Sequence, residues 1–186
     1  MSLKLSTLKT SIISGLGLLC FLAQPAFAEV ILQHFCRRDI CHQTKFISKT
    51  APRQSATGTF YTIETADRSW RYGEQPGNTW SEPEISYVNC STTRPAYIFS
   101  LPSFSYLFVH LINPGEPHQQ FSMSGSEEMY WVTCHNFVGP FSDYDTGESF
   151  MTERARQLGY PLNLPLDQLE ADSEAELLEL FGVSQN

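Results

Sequence analysis

Basic side chains are scarce in this sequence. The chain of 186 residues has 12 Lys and Arg against 20 Asp and Glu, a formal net charge of −8. Because nucleic-acid binding depends on basic side chains that neutralise phosphates, we expect no nucleic-acid partner. The charge is also uneven: residues 29–71 hold seven basic and four acidic side chains, and residues 72–186 hold three and sixteen. Two solvated faces are the simplest interpretation, and the alternative is that the charges steer an encounter with a partner or pair the two parts of the chain.

Long apolar runs are almost absent, apart from residues 12–23 near the N-terminus. Lys4 and Lys9 precede this run, and the small residues Ala26 and Ala28 follow it. The run is shorter than the roughly 20 apolar residues that a membrane-spanning helix needs. The pattern is typical of a secretory signal peptide. We therefore predict that residues 1–28 are removed by cleavage between Ala28 and Glu29.

A lipid anchor on Cys20 is the alternative for this leader, although Leu19 stands where lipoprotein signals carry a small residue. No later segment is long enough to span a bilayer. We predict an exported protein, periplasmic or secreted, whose mature chain has no membrane span. Its organisation is predicted as a disulfide-stabilised, mainly β domain over residues 29–160 and an acidic amphipathic helical tail over 161–186, packed on the same domain.

Cysteine is sparse, and four cysteines remain after the leader: Cys36, Cys41, Cys90 and Cys134. An even count in an exported chain predicts two disulfides with three possible connectivities. Cys90 and Cys134 end two similar runs, in which an aromatic residue and Val precede the cysteine, as if two neighbouring strands ended at one level. We favour Cys36 with Cys41 and Cys90 with Cys134.

Histidine, a common zinc ligand together with cysteine, lies next to or near three of these cysteines, as His34, His42 and His135. Their spacing fits neither paired Cys-x2-Cys knuckles nor a His-Glu-x-x-His helix. Residues 143–147, Asp-Tyr-Asp-Thr-Gly, begin like a calcium loop but lack the third carboxylate and the closing Glu. We predict no metal site and no cofactor.

Short runs rich in β-branched and aromatic residues, separated by turn formers, predict an antiparallel sheet or small sandwich of short strands. The predicted strands are residues 30–36, 44–47, 58–64, 69–72, 85–89, 96–100, 106–111 and 129–133. Helical spacing predicts a helix over 148–158, and Ser173 with Glu176 forms a capping box that opens another, ending at Gly182. The fold class is therefore α+β, mainly β, with short C-terminal helices.

Catalytic motifs are missing. There is no Gly-x-Ser-x-Gly elbow, since Ser124-Gly125-Ser126 lacks the flanking glycines. A cysteine nucleophile with His110 or His135 as its base would need a free thiol, which the even cysteine count opposes.

Two sets of residues suggest binding. Trp70 and Tyr72 would share one strand face, and Trp80 follows a nearby turn, with Arg68, Arg71 and Asn78 available for polar contacts. Aromatic side chains of this kind form stacking platforms for glycans, although most tryptophans in a chain of this size belong to the core.

The second set is Arg37 and Arg38, inside the small loop that Cys36 and Cys41 would close. A rigid turn with two guanidinium groups suits the carboxylates or phosphates of an acidic partner. Over its six residues the loop resembles the Cys-x4-Cys binding loop of the periplasmic inhibitors of vertebrate lysozyme. That family has Lys-Pro-His-Asp between the cysteines, whereas this chain has Arg-Arg-Asp-Ile and places its histidine outside, at His42. The resemblance implies a binding role for the loop.

These observations favour a non-enzymatic binding or interaction module of the cell envelope or extracellular space, with an acidic protein or a glycan as its partner. An extracellular hydrolase is the alternative, because scattered Asp, Glu and His side chains can form a site without a sequence motif. A structural envelope component is the third possibility.

Overall fold

The structure is a computed structural model of the chain, and it describes residues 29–32, 35–101, 103–114, 124–139, 151–164 and 168–184. The described residues are mostly antiparallel β-sheet with a few short helices, 40% strand and 19% helix, so the predicted α+β, mainly β class is confirmed. The leader, His34 and the acidic run 143–147 lie outside the described residues. Among the residues that are described, no helix is long and apolar enough to cross a membrane.

The described residues form one sheet of nine strands and three helices. In chain order these are β1 (Val30–Ile31), β2 (Phe35–Arg37), β3 (Ile40–Lys49), β4 (Arg53–Gln54), β5 (Gly58–Arg71), β6 (Glu84–Ser91), β7 (Ala96–Ser100), β8 (Leu107–Leu111), α1 (Ser124–His135), α2 (Thr152–Gln157), β9 (Gln168–Ala171) and α3 (Glu174–Leu180). Every pairing is antiparallel, and the order across the sheet is β1-β3-β5-β6-β7-β8-β9. β2 pairs with β3, and β4 pairs with β5. Consecutive strands are therefore mainly neighbours, as in hairpins and meanders.

The sheet has a core on each face, because side chains alternate between faces along a strand. On one face Phe46, Ile63 and Val88 pack with α1 residues such as Trp131. On the other face Phe60, Tyr87, Ile98 and Val109 pack with Leu177, Leu178 and Phe181 of the C-terminal segment. The molecule thus has three layers, with α1 and α2 on one side of the sheet and α3 on the other.

Residues 129–133 are helical, so the predicted strand there is wrong. They belong to α1, where Met129, Tyr130, Trp131 and Val132 are all buried. A short apolar run of this kind fits a buried strand and a buried helix equally well by its periodicity. Lys49 supports the helix end, because its Nζ donates a 2.7 Å hydrogen bond to the Thr133 carbonyl.

β5 is one strand of 14 residues, where the sequence predicted two, over 58–64 and 69–72. The polar residues between them suggested a break. They instead pair with β3, in the register Phe46 with Thr65, Thr44 with Asp67 and Gln43 with Arg68. Partner strands, and not the local residue types, make this stretch extended.

The acidic tail contributes a strand as well as the predicted helix. β9 pairs with β8, and α3 begins at Ser173, whose Oγ accepts a 3.2 Å hydrogen bond from the Glu176 N–H. The Glu176 carboxylate accepts one from the Asp172 N–H at 2.8 Å. The capping box is therefore present, with its second bond shifted by one residue.

The tail also contacts the basic N-terminal part of the chain. Arg53 lies 3.8 Å from the Glu174 carboxylate, and the Ala56 N–H donates a 2.9 Å hydrogen bond to the Phe181 carbonyl. Phe181 packs against Phe60 of β5, with ring centroids 5.8 Å apart. Since the ion pair is exposed, the apolar contacts supply most of the docking energy.

Both favoured disulfides are present, Cys36–Cys41 and Cys90–Cys134. The first pair faces across the β2–β3 hairpin. The second joins β6 to the last turn of α1, so the connectivity is confirmed although Cys134 does not lie on a strand. Two disulfides favour an oxidising environment outside the cytosol.

Candidate functional site

The outer ends of β3 and β5 extend past the rest of the sheet. β6 pairs with β5 only as far as Thr65, which faces Glu84, while the β3–β5 ladder continues to Ile40 and Arg71. We call residues 35–45 and 66–72 the arm. Beside it, the Ser81 N–H donates a 2.7 Å hydrogen bond to the Asp67 carbonyl, so the 73–83 connection supports one side of β5. The arm is therefore a supported projection of the sheet.

The end of the arm is a two-residue turn held in one conformation. Arg38 and Asp39 both have positive φ angles, 48° and 65°, as a type I′ hairpin turn requires. The Cys36–Cys41 disulfide closes the hairpin directly behind it. In addition, the Tyr72 N–H donates a 2.8 Å hydrogen bond to the Asp39 carbonyl. The turn is thus fixed both to its own strands and to the end of β5.

The β3–β5 register brings together the two sets of residues that the sequence suggested separately. Cys41 faces Trp70, and Ile40 faces Arg71. At this end of the arm Arg38 and Arg71 are exposed, Tyr72 is 72% exposed and Ile40 is 39% exposed. We call Arg38, Ile40, Arg71 and Tyr72 the tip. Arg37 closes the turn opposite Ile40 through its backbone, and its side chain lies outside the described part of the structure.

Arg68 holds the arm together from one face. Its Nε and Nη2 donate hydrogen bonds of 3.0 and 2.6 Å to Gln43 Oε1, and its Nη1 donates one of 2.7 Å to the Gly77 carbonyl. The Arg68 guanidinium carbon also lies 4.4 Å from the centre of the Trp80 ring and 5.8 Å from that of Trp70. Arg68 therefore joins three segments of the chain.

Trp80 is consequently part of the internal packing of this face. It is half-buried and contacts Arg68 as well as Lys45, whose Nζ lies 5.1 Å from its ring centre. These cation–π contacts occupy the ring that a stacking ligand would need. Of the three aromatic residues predicted to form a platform, Tyr72 is the most exposed, with Trp70 and Trp80 half-buried.

The arm has a basic formal charge on an acidic protein, with five Lys and Arg against two Asp, although exposed Asp39 lies in the turn beside Arg38. Arg38 and Arg71 form no ion pair and no side-chain hydrogen bond with the part of the chain that the structure describes. Lys45, by contrast, pairs with Glu29 at 3.2 Å, and Arg68 is bound by Gln43. The free guanidinium groups of the arm thus lie at its end, beside exposed Ile40 and Tyr72.

A second polar cluster lies inside the core, next to the Cys90–Cys134 disulfide. His135 Nε2 is 2.7 Å from the Tyr160 hydroxyl, which is 2.9 Å from the Tyr130 hydroxyl. Tyr130 donates to the Ser91 carbonyl at 3.0 Å and accepts from the Ser91 N–H at 3.2 Å. Since each hydroxyl has one proton, Tyr160 must donate to Tyr130, and His135 must donate from Nε2 to Tyr160.

The groups of this cluster remain uncharged at neutral pH. Burial lowers the pKa of His135, and nearby Arg154 lowers it further. Burial also raises the pKa of Tyr160 and raises that of Tyr130 well above its ordinary value. The chain of hydrogen bonds therefore ties β6, α1 and the segment after α2 together, and it satisfies polar groups that would be costly to bury alone.

The described residues offer little support for a nucleophile–base pair or for a metal centre. Cys36, Cys41, Cys90 and Cys134 are all in disulfides, so a cysteine nucleophile with His110 or His135 has no thiol. Ser69 Oγ lies 2.9 Å from His42 Nδ1, but both residues are exposed across neighbouring strands, where water is not excluded. Within the described residues, no group of three or more His, Cys, Asp or Glu side chains is arranged to hold a metal ion.

Comparisons with family models, curated proteins and solved structures find no match. The likeness of the Cys36–Cys41 loop to lysozyme-inhibitor loops stays local to six residues. In the tip, sequence analysis named Arg38, Arg71 and Tyr72 but missed Ile40, because no sequence signal shows that an isoleucine beside a buried cysteine is exposed.

Proposed function

We propose that the chain is an exported, non-enzymatic binding module, and that it contacts an acidic partner protein through the tip of the arm. Supporting the export step, the sequence has the pattern of a cleavable leader, and the folded chain has two disulfides, which persist in oxidising compartments.

The observation that carries the proposal is the composition of a rigid, projecting turn. Arg and Tyr are enriched among the residues that dominate binding energy in protein interfaces, and an apolar neighbour supplies area that loses contact with water. The tip has two arginines that form no ion pair or side-chain hydrogen bond with the described residues, an exposed tyrosine and an exposed isoleucine. Its disulfide and backbone hydrogen bond fix the turn before binding, which lowers the entropy cost of association.

An acidic partner follows from the charges. A guanidinium group presents a planar fork of N–H donors that matches a carboxylate, and oppositely charged surfaces accelerate encounter. The arm holds five basic and two acidic side chains, whereas residues 72–186 hold three and sixteen, so the formal charge of the arm is opposite to that of most of the chain.

The test is affinity capture from envelope extract with the mature protein, its Arg38→Ala/Arg71→Ala variant and an Arg156→Ala control. Arg156 is an exposed arginine on α2, outside the arm. The wild type and the control should retain an acidic protein that salt releases, and the tip variant should lose it. Equal capture by the tip variant, or a partner that is neutral or basic, would contradict the proposal.

A further inference from the structure

Left-handed backbone positions are nearly all occupied by residues suited to them. Among the described residues with positive φ, the glycines are Gly73, Gly159 and Gly182, and the others are Arg38, Asp39 and Asn136. Glycine has no Cβ to collide with the backbone, and Asn and Asp are enriched in this conformation because their short side chains bond locally. Arg38 is the one residue of the set that belongs to neither group.

The type I′ turn makes an arginine at this position more unusual. Both central residues of such a turn need positive φ, and Asn followed by Gly is the favoured pair. The chain uses Asn136 for the same backbone conformation at the end of α1, with φ of 51°. Arg38, with φ of 48°, therefore occupies a position where asparagine would fold at lower cost.

No polar contact with the described residues offsets the backbone cost at Arg38. The side chain is exposed, and it makes no ion pair or side-chain hydrogen bond with the described part of the chain. An exposed residue with a disfavoured backbone conformation, and with no polar partner among the described residues, points to a role outside the molecule.

We infer that Arg38 is the specificity-determining residue of the tip, kept in a disfavoured conformation because its guanidinium binds a carboxylate of the partner protein. The inference rests on the proposed function. The turn that contains Arg38 is held against the end of β5, where Arg71 and Tyr72 lie, since the Asp39 carbonyl accepts a hydrogen bond from the Tyr72 N–H. Ile40 favours a polypeptide over an acidic polysaccharide, because an aliphatic side chain offers a protein apolar contact and offers a uronic acid no hydrogen bond.

The first measurement is thermal stability. Arg38→Asn replaces arginine with a residue suited to positive φ and should raise the melting temperature by about 1 to 4 °C. Asp39→Gly is the matched control, because it eases the same turn and leaves the guanidinium in place. An Arg38→Asn variant that melts at or below the wild-type temperature would show that the conformation of Arg38 carries no cost.

The second measurement is binding, followed by NMR titration with an oligoglutamate peptide and, separately, with oligogalacturonate. The wild type and Asp39→Gly should bind the peptide, with shifts at the tip, and Arg38→Asn should bind about tenfold more weakly or worse. Arg38→Lys keeps the charge but loses the planar fork, so its affinity should lie between the two.

The outcomes separate this inference from the proposed function. Full binding by Arg38→Asn, together with loss of binding in Arg71→Ala/Tyr72→Ala, would overturn the role of Arg38 and leave the tip as the contact surface. Binding of oligogalacturonate in preference to oligoglutamate would overturn the choice of a protein partner. A wild type that binds neither probe would overturn both the inference and the proposed function.

Discussion

Acidification should weaken the fold through His110. This residue lies in β8 between Tyr97 of β7 and Gln168 of β9, and only 6% of it is exposed. Its Nδ1 is buried and has no hydrogen-bond partner among the described residues. Burial disfavours the charged imidazolium and lowers the pKa of His110 to about 4, from an ordinary value of 6.5.

The sign and size of the effect follow from proton linkage. Below pH 6.5 the unfolded chain takes up a proton on His110, whereas the folded chain stays neutral there until about pH 4. The stability is therefore complete above the unfolded pKa and falls as the pH drops through this window. The full loss is about 3 kcal/mol, and about 2 kcal/mol of it should appear between roughly pH 7.5 and pH 5.

The assay is urea unfolding at these two pH values, for the wild type, His110→Leu and an exposed-histidine control, His42→Gln. His110→Leu removes the titrating group and the unpaired nitrogen, so its unfolding free energy should fall by about 2 kcal/mol less than that of the wild type on acidification. The control should follow the wild type. Burial also lowers the pKa of His135, but this contribution is common to all three proteins and cancels.

Parallel pH dependence in the wild type and His110→Leu would refute the reasoning, whatever the absolute stability of the variant. So would direct NMR titration of His110 in the folded protein with a midpoint near the ordinary histidine value of 6.5.

Two further predictions test the arm and the sheet. A methyl group on Gly58 would overlap the carbonyl oxygen of Cys90, so Gly58→Ala should lower the free energy of unfolding by about 1 to 3 kcal/mol. In chemical denaturation the control Gly77→Ala should leave it unchanged, because no atom lies within 4 Å of the added carbon. Equal effects of the two substitutions would contradict the close packing at Gly58. Trypsin should not cut after Arg37 in the oxidised protein, because a tight turn cannot extend into the cleft of the protease. After reduction and unfolding it should cut there. Mass spectrometry that finds equal cleavage in both forms would rule out the closed turn.

The sequence was sufficient to predict those features that depend on interactions between residues close together in the chain. The capping box at Ser173 forms because a hydroxyl and an N–H three residues on lie within one helical turn. Strand β7 has the predicted bounds, since turn formers flank it on both sides. The pairing of Cys36 with Cys41 likewise needs only a hairpin. The leader and its cleavage remain predictions, because residues 1–28 lie outside the described structure.

The tertiary structure decided what depends on residues distant in sequence. Whether 129–133 became strand or helix depended on the core around it, since an apolar block of four residues suits either. Likewise, only the tertiary structure places Arg68 and Lys45 against the ring of Trp80.

The tip shows most clearly which properties the sequence determined and which the tertiary structure decided. The sequence by itself determined its chemistry, namely the arginines, the tyrosine and the cysteines that close the loop. The register that sets Ile40 against Arg71 joins residues 31 positions apart, and only the strand pairing of the whole sheet fixes that register. The same pairing placed Arg38 in a left-handed turn, a cost that is invisible in the sequence because φ is set by the hairpin and not by the arginine.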